Sequence, residues 1–208
     1  MYSSQPERRR KNRSSTFYHQ SLNRQDGAAI AENCMLRGAH VTLVNASVSV
    51  EPPMFVDVVN VTSAADMADV VKSKAAEQDI IIMTAAVADF CPSHPADEKI
   101  KKNDSSYESV IELERTEDIL SYLGAHKAKG QLICGFSMET QNMLENSKAK
   151  LAKKNADMIV ANNLKVAGAG FGTDTNVVTL ITADDCTELE IMDKSCVASR
   201  IMDRLLQM

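Results

Sequence analysis

The chain has 208 residues, 44% of them hydrophobic and 25% charged, which suits one globular domain of ordinary size. No apolar run approaches the roughly 18 residues of a membrane span, so no membrane partner is expected. A net charge of -5, a 4% aromatic content and the lack of Trp speak against nucleic acid as a partner.

Residues 1–26 differ in composition from the rest. They carry Arg8, Arg9, Arg10, Lys11 and Arg13 with few aliphatics and no periodicity, and they read as an irregular basic tail. Residues 27–208 read as a single α/β domain. GAAIAENCMLRG predicts a helix stopped by Gly38, and His40–Asn45 (HVTLVN) a β-branched strand. Phe55–Val61 is a second strand. Ser63 with Asp66 three positions on has the spacing of a capping box before a helix. Asp79–Met83 (DIIIM) is a continuous apolar run, the mark of a central strand covered on both faces. A strand at Ser109–Leu113 and a helix over Glu117–Ala125 follow, then a buried strand QLICGF and a helix over Thr140–Asn155. DMIVAN is another strand, VVTLIT and ELEIM form a closing antiparallel pair, and Lys194–Met208 is the final helix.

This alternation predicts a Rossmann-like, mostly parallel sheet with helices on both faces and an antiparallel pair near the C-terminus. Such folds begin with a strand feeding a turn and a helix. Here the first regular element is the helix at Gly27, so the first strand is expected to be missing.

Ligands of open α/β sheets bind beyond the carboxyl ends of the strands. TAAVAD follows DIIIM there, and its small side chains allow a ligand close to the backbone. Asp89 could accept from a hydroxyl or amine, or simply cap the loop. DEKIKK places Lys99, Lys101 and Lys102 where flexible point charges would suit a triphosphate, although such runs are commonly solvated loops. Lys150 and Lys154 share a helix face. Phe136, past another buried strand, could stack on a base or pack. The glycine-rich GAGFGTDTN lacks the Lys-Ser/Thr of a phosphate-binding P-loop, and no G-x-G-x-x-G opens a helix, so a nicotinamide site has no support. The four histidines are scattered. The five cysteines are odd in number and without ligand spacing, which predicts reduced thiols, a cytoplasmic protein and no metal-ligand set.

In order and spacing, AAVADF, EKIKK, EDIL, GFSMET, KAKLAKKNAD and GFGTDTN resemble phosphopantothenoylcysteine synthetase of the bacterial, CTP-using type, the second half of the bifunctional coenzyme A biosynthesis flavoprotein. The resemblance runs from Gly27 to the end. It implies a ligase that joins 4′-phosphopantothenate to cysteine through an acyl-cytidylate made from CTP, with Mg²⁺, as a homodimer. It implies that Met83, Thr84 and Ala85 line the nucleotide site and that Asp89 contacts the nucleotide. It puts Lys99 on a flap over the phosphates as the catalytic cation. Glu117, Asp118, Ile119, Leu120 and Phe136 would border the nucleotide, and Lys150 and Lys154 would complete the site.

The chain departs from the family before Gly27. The family loop is similar to S-I-T-N-x-S-T-G-K-M-G, whereas Phe17–Gly27 reads FYHQSLNRQDG, with Gln20 in the place of the Asn. Codons that spell FYHQSLNRQDG, read one base later, also spell S-I-T-N-R-S-T-G-K-M-G. We therefore expect residues up to about Asp26 to be translated out of frame, which the coding DNA tests. The alternative to the ligase is a catalytically impaired nucleotide-binding remnant of the same family, without the phosphate loop.

Overall fold

The computed structural model describes residues 14–19, 24–46, 51–94, 111–138, 142–163 and 173–208. The elements in chain order are β1 (Ser14–His19), α1 (Arg24–Leu36), β2 (His40–Asn45), β3 (Asp57–Asn60), α2 (Ala64–Ala75) and β4 (Ile80–Met83). Then come β5 (Phe90–Pro92), β6 (Leu113–Arg115), α3 (Ile119–Ala125), β7 (Leu132–Met138), α4 (Met143–Lys153) and β8 (Met158–Asn162). The chain ends with β9 (Thr175–Asn176), β10 (Val178–Ile181), β11 (Cys186–Glu188), β12 (Met192–Asp193) and α5 (Lys194–Leu205).

Eight strands form one sheet in the order β11-β10-β8-β7-β4-β1-β2-β3. The six from β3 to β8 run parallel, and β10 and β11 close it antiparallel. This is the α/β arrangement read from the sequence, with one correction. The first strand is not missing. β1 fills the slot between β4 and β2, with Phe17 in register with Leu43 and Ile82. The physical reason is that both neighbours offer a row of backbone donors and acceptors to that slot. A segment containing Thr, Phe and Tyr satisfies them as an extended strand. It lacks the continuous apolar run of β4, so the sequence concealed it. Likewise α1 begins at Arg24, three residues before Gly27.

The period-two alternation of β4 splits the core. Ile80 and Ile82 join Ile30, Ala31 and Cys34 of α1 and Val197, Ile201 and Leu205 of α5. Ile81 and Met83 face the other way, against Met67 and Val71 of α2, Leu120 and Leu123 of α3, and Leu151 of α4. Every side chain of β4 and β8 is buried, as strands covered on both faces require. The capping box forms as its spacing foretold: Asp66 N–H donates to Ser63 Oγ at 3.0 Å, and Ser63 N–H to Asp66 Oδ2 at 3.0 Å.

Several boundaries moved: the strand read at Phe55–Val61 is Asp57–Asn60, and the helix read over Thr140–Asn155 is Met143–Lys153. The strand expected at Ser109–Leu113 lies at Leu113–Arg115, where it pairs with β5 in a separate two-stranded sheet. The last antiparallel partner is Cys186–Glu188 rather than ELEIM. Its three side chains are exposed, so no apolar alternation marked it.

Candidate functional site

At the carboxyl ends of β4 and β7 lies a cavity of about 190 Å³. Its walls are Met83, Ala85, Val87 and Asp89 from the loop after β4, Thr116–Leu120 from the entry to α3, Phe136 from β7, and Lys150 and Lys154 from α4. Parallel pairing of β4 with β7 places their ends side by side, and the loop leaving β4 faces the segment that enters α3 across the cavity.

Asp118 organises one wall. It caps α3, accepting from the Ser121 amide at 2.9 Å. Its other oxygen pairs with Lys154 Nζ, which also donates to Ser121 Oγ at 2.9 Å. Burial alone would raise the Asp118 carboxyl, but the hydrogen bonds from Lys154 and Ser121 and the Lys154 charge hold it below its usual value. Lys150 Nζ donates to the Phe136 carbonyl at 2.9 Å. Two ammonium groups therefore face one cavity from a single helix.

Their seating depends on a close approach of backbones. A Cβ on Gly124 would come within 1.8 Å of the Lys154 carbonyl oxygen, so only glycine lets the end of α3 touch the end of α4. Asn155, at φ 48°, donates its side-chain amide to the Gly124 carbonyl at 2.8 Å. A Cβ on Gly135 would lie 2.7 Å from Leu120 Cδ2, so its absence lets α3 rest on β7 under the cavity floor.

The cavity gathers Met83, Ala85, Asp89, Glu117, Asp118, Ile119, Leu120, Phe136, Lys150 and Lys154 from the sequence-derived set. Thr84 is buried next to Met83 and is not among the lining residues. Lys99, with Lys101 and Lys102, lies outside the described residues, as do Gln20 and most of the glycine-rich loop. The sequence reading missed Val87, Thr116, Ser121 and Lys72. Lys72 reaches across from α2, pairs with Glu117 and sits 5.1 Å from the centre of the Tyr122 ring. Only Ser121, three positions after the capping Asp118, carried a sequence signal.

A second cavity, of about 470 Å³, opens between α1 and α5 beside Gln25, Glu32, Glu51, Asp174, Asp193 and Lys194. Lys194 is buried and donates to Gln25 at 2.7 Å. Asp26, one residue further into α1, is 5% exposed, and its Oδ2 has no hydrogen-bond partner. Burial pushes the Asp26 carboxyl up, and the Lys194 charge and a hydrogen bond from Asn176 only partly oppose it. Among the described residues no three His, Cys, Asp or Glu side chains gather closely enough to hold a metal ion. No described helix is long and apolar enough to cross a membrane.

The family model for the DNA/pantothenate metabolism flavoprotein C-terminal domain matches residues 17–208. The coenzyme A biosynthesis bifunctional protein CoaBC of Bacillus subtilis is 45% identical over 181 residues, which are 86% of this chain and 44% of that protein. A protein named cysteine/cysteine sulfinic acid decarboxylase, from an unidentified prokaryote, is 43% identical over 86% of this chain and 50% of its own length. The chain thus spans about half the length of these curated relatives. The crystal structure of the C-terminal domain of a CoaBC protein superposes with a TM-score of 0.76 at 34% identity, covering 94% of each chain.

Proposed function

We propose, from the premise that the chain belongs to the DNA/pantothenate metabolism flavoprotein C-terminal domain family, that it is a phosphopantothenate–cysteine ligase of coenzyme A biosynthesis. In this reading the carboxylate of 4′-phosphopantothenate attacks the α-phosphate of CTP and pyrophosphate leaves. The cysteine amine then displaces CMP to form the amide. The observation that carries the reading is the convergence of Lys150 and Lys154 on one cavity at the sheet's carboxyl edge. Negative charge building up on a transferring phosphate needs fixed cations of this kind. A decarboxylase, as the second relative's name would suggest, has no such need for paired ammonium groups.

The roles are those that the family resemblance implies. Met83, Thr84 and Ala85 bring backbone close to the nucleotide, and Asp89 accepts from it at the rim. Glu117, Asp118, Ile119, Leu120 and Phe136 border it, and Lys99 covers the phosphates. Mg²⁺ would neutralise phosphate charge. It needs only one or two protein carboxylates beside the phosphates themselves, and exposed Asp89 at the cavity rim fits that demand. A homodimer fits the small β5–β6 sheet. Phe90, Ile111 and Leu113 are 50%, 71% and 59% exposed on or beside it, and two strands alone are marginal in water. Five free thiols, two of them buried, fit a cytoplasmic protein.

The alternative, a nucleotide-binding remnant with impaired catalysis, is favoured by Asp26. A buried carboxyl without a full set of partners sits at the start of α1, beside the segment whose sequence departs from the family loop. Pyrophosphate release with CTP, 4′-phosphopantothenate and cysteine separates the two. Turnover of about 1 per second or more establishes the ligase. CTP binding without turnover establishes the remnant.

A further inference from the structure

We infer that Thr116 is a positioning residue that clamps the two opposite walls of the nucleotide cavity to each other. The inference rests on the cavity being a nucleotide site. One wall is the loop from Thr84 to Asp89, which leaves β4. The other is Thr116–Leu120, which leads into α3. These segments are far apart in sequence, and the short β5–β6 pairing brings them together. That pairing stops at Arg115 opposite Phe90. Thr116 extends it by one backbone bond and one side-chain bond. Its N–H donates to the Asp89 carbonyl at 3.0 Å, and its Oγ1–H donates to the Ala88 carbonyl. The hydroxyl thus ties the chain directly before Glu117 to the chain directly before Asp89.

The rest of the second wall is held from other directions. Glu117 is tethered outward to Lys72 on α2, and Asp118 is tethered to Lys154 on α4. Neither tether sets the distance to the Thr84–Asp89 loop. Ala85 and Val87 of that loop pack against the core, but Ala88 and Asp89 are exposed and stand outside it. The two Thr116 bonds therefore fix the separation of Asp89 and Glu117 where the β5–β6 ladder ends. A valine at this position keeps the shape and removes the Oγ1 bond. A serine keeps the hydroxyl and removes only a methyl group.

The test is a calorimetric titration of CTP into the full chain and into Thr116→Val and Thr116→Ser, with thermal melting alongside. A single hydrogen bond of this exposure is expected to shift CTP affinity roughly three- to tenfold in Thr116→Val. Thr116→Ser is expected to stay within about twofold of the parent, and the melting temperature of both within about 3 °C. Parent-like affinity in Thr116→Val overturns the clamp, and so does a Thr116→Ser variant as weak as Thr116→Val. If Thr116→Val melts far below the parent, Thr116→Ser decides alone: retained affinity supports the clamp and lost affinity refutes it. Absence of CTP binding by the parent refutes the nucleotide reading itself, a different result from parent binding that Thr116→Val leaves unchanged.

Discussion

The two cavities at the sheet's carboxyl edge are built to different standards. Between α3 and α4, Asp118 accepts from Lys154 and the Ser121 amide, and Lys150 and Thr116 donate to carbonyls. Between α1 and α5, a carboxyl is buried with one oxygen unpartnered beside a buried lysine. A hydrogen-bonded buried polar group costs little, and an unpaired one costs about 1–3 kcal/mol. The difference follows the sequence. Asp118, Lys150 and Lys154 lie in EDIL and KAKLAKKNAD, two of the motifs that carry the family resemblance, whereas Asp26 precedes all of those motifs.

The largest expected effect breaks the well-built side. Gly124→Ala drives a methyl group into the Lys154 carbonyl, which must move with the end of α4. A loss of about 3 kcal/mol is expected, at the upper end for an overpacked position, together with weaker nucleotide binding. Denaturant unfolding measures the first part. Stability equal to the parent would mean that the α3–α4 junction yields easily and does not seat Lys154.

A smaller effect, of opposite sign, is expected on the other side. Below 3.8, the usual Asp value, folded and unfolded chains both hold the Asp26 proton. Above it the unfolded chain ionises while burial still resists ionisation in the fold, so stability falls as pH rises until the raised folded value is passed. Asp26→Asn removes that dependence, and Asp26→Met removes the polar group as well. Each should exceed the parent by about 1–2 kcal/mol near neutral pH, with the gap closing below about pH 4. Melting curves across that range decide it, and a gap that does not change with pH would show Asp26 to be satisfied as it stands.

Much of the α3–α4 side was legible in the sequence. DIIIM announced a central strand because four consecutive buried side chains leave no alternation, and Lys150 and Lys154 shared a face by helical spacing. Thr116 was not legible, because a threonine before Glu-Asp carries no local signal. Its role exists only once β5 and β6 have paired. β1 was hidden for another reason. Its slot is dictated by the hydrogen-bonding needs of β2 and β4, which no window of residues 14–19 records.

The central claim is that the cavity between α3 and α4 holds a cytidine triphosphate. The most direct measurement is a calorimetric titration of CTP, in Mg²⁺ buffer, into the full chain and into Lys154→Gln. The account predicts saturable binding by the parent and at least about tenfold weaker binding by Lys154→Gln, since a charge-assisted contact to phosphate is lost. No binding by the parent, or equal binding by both, would contradict it.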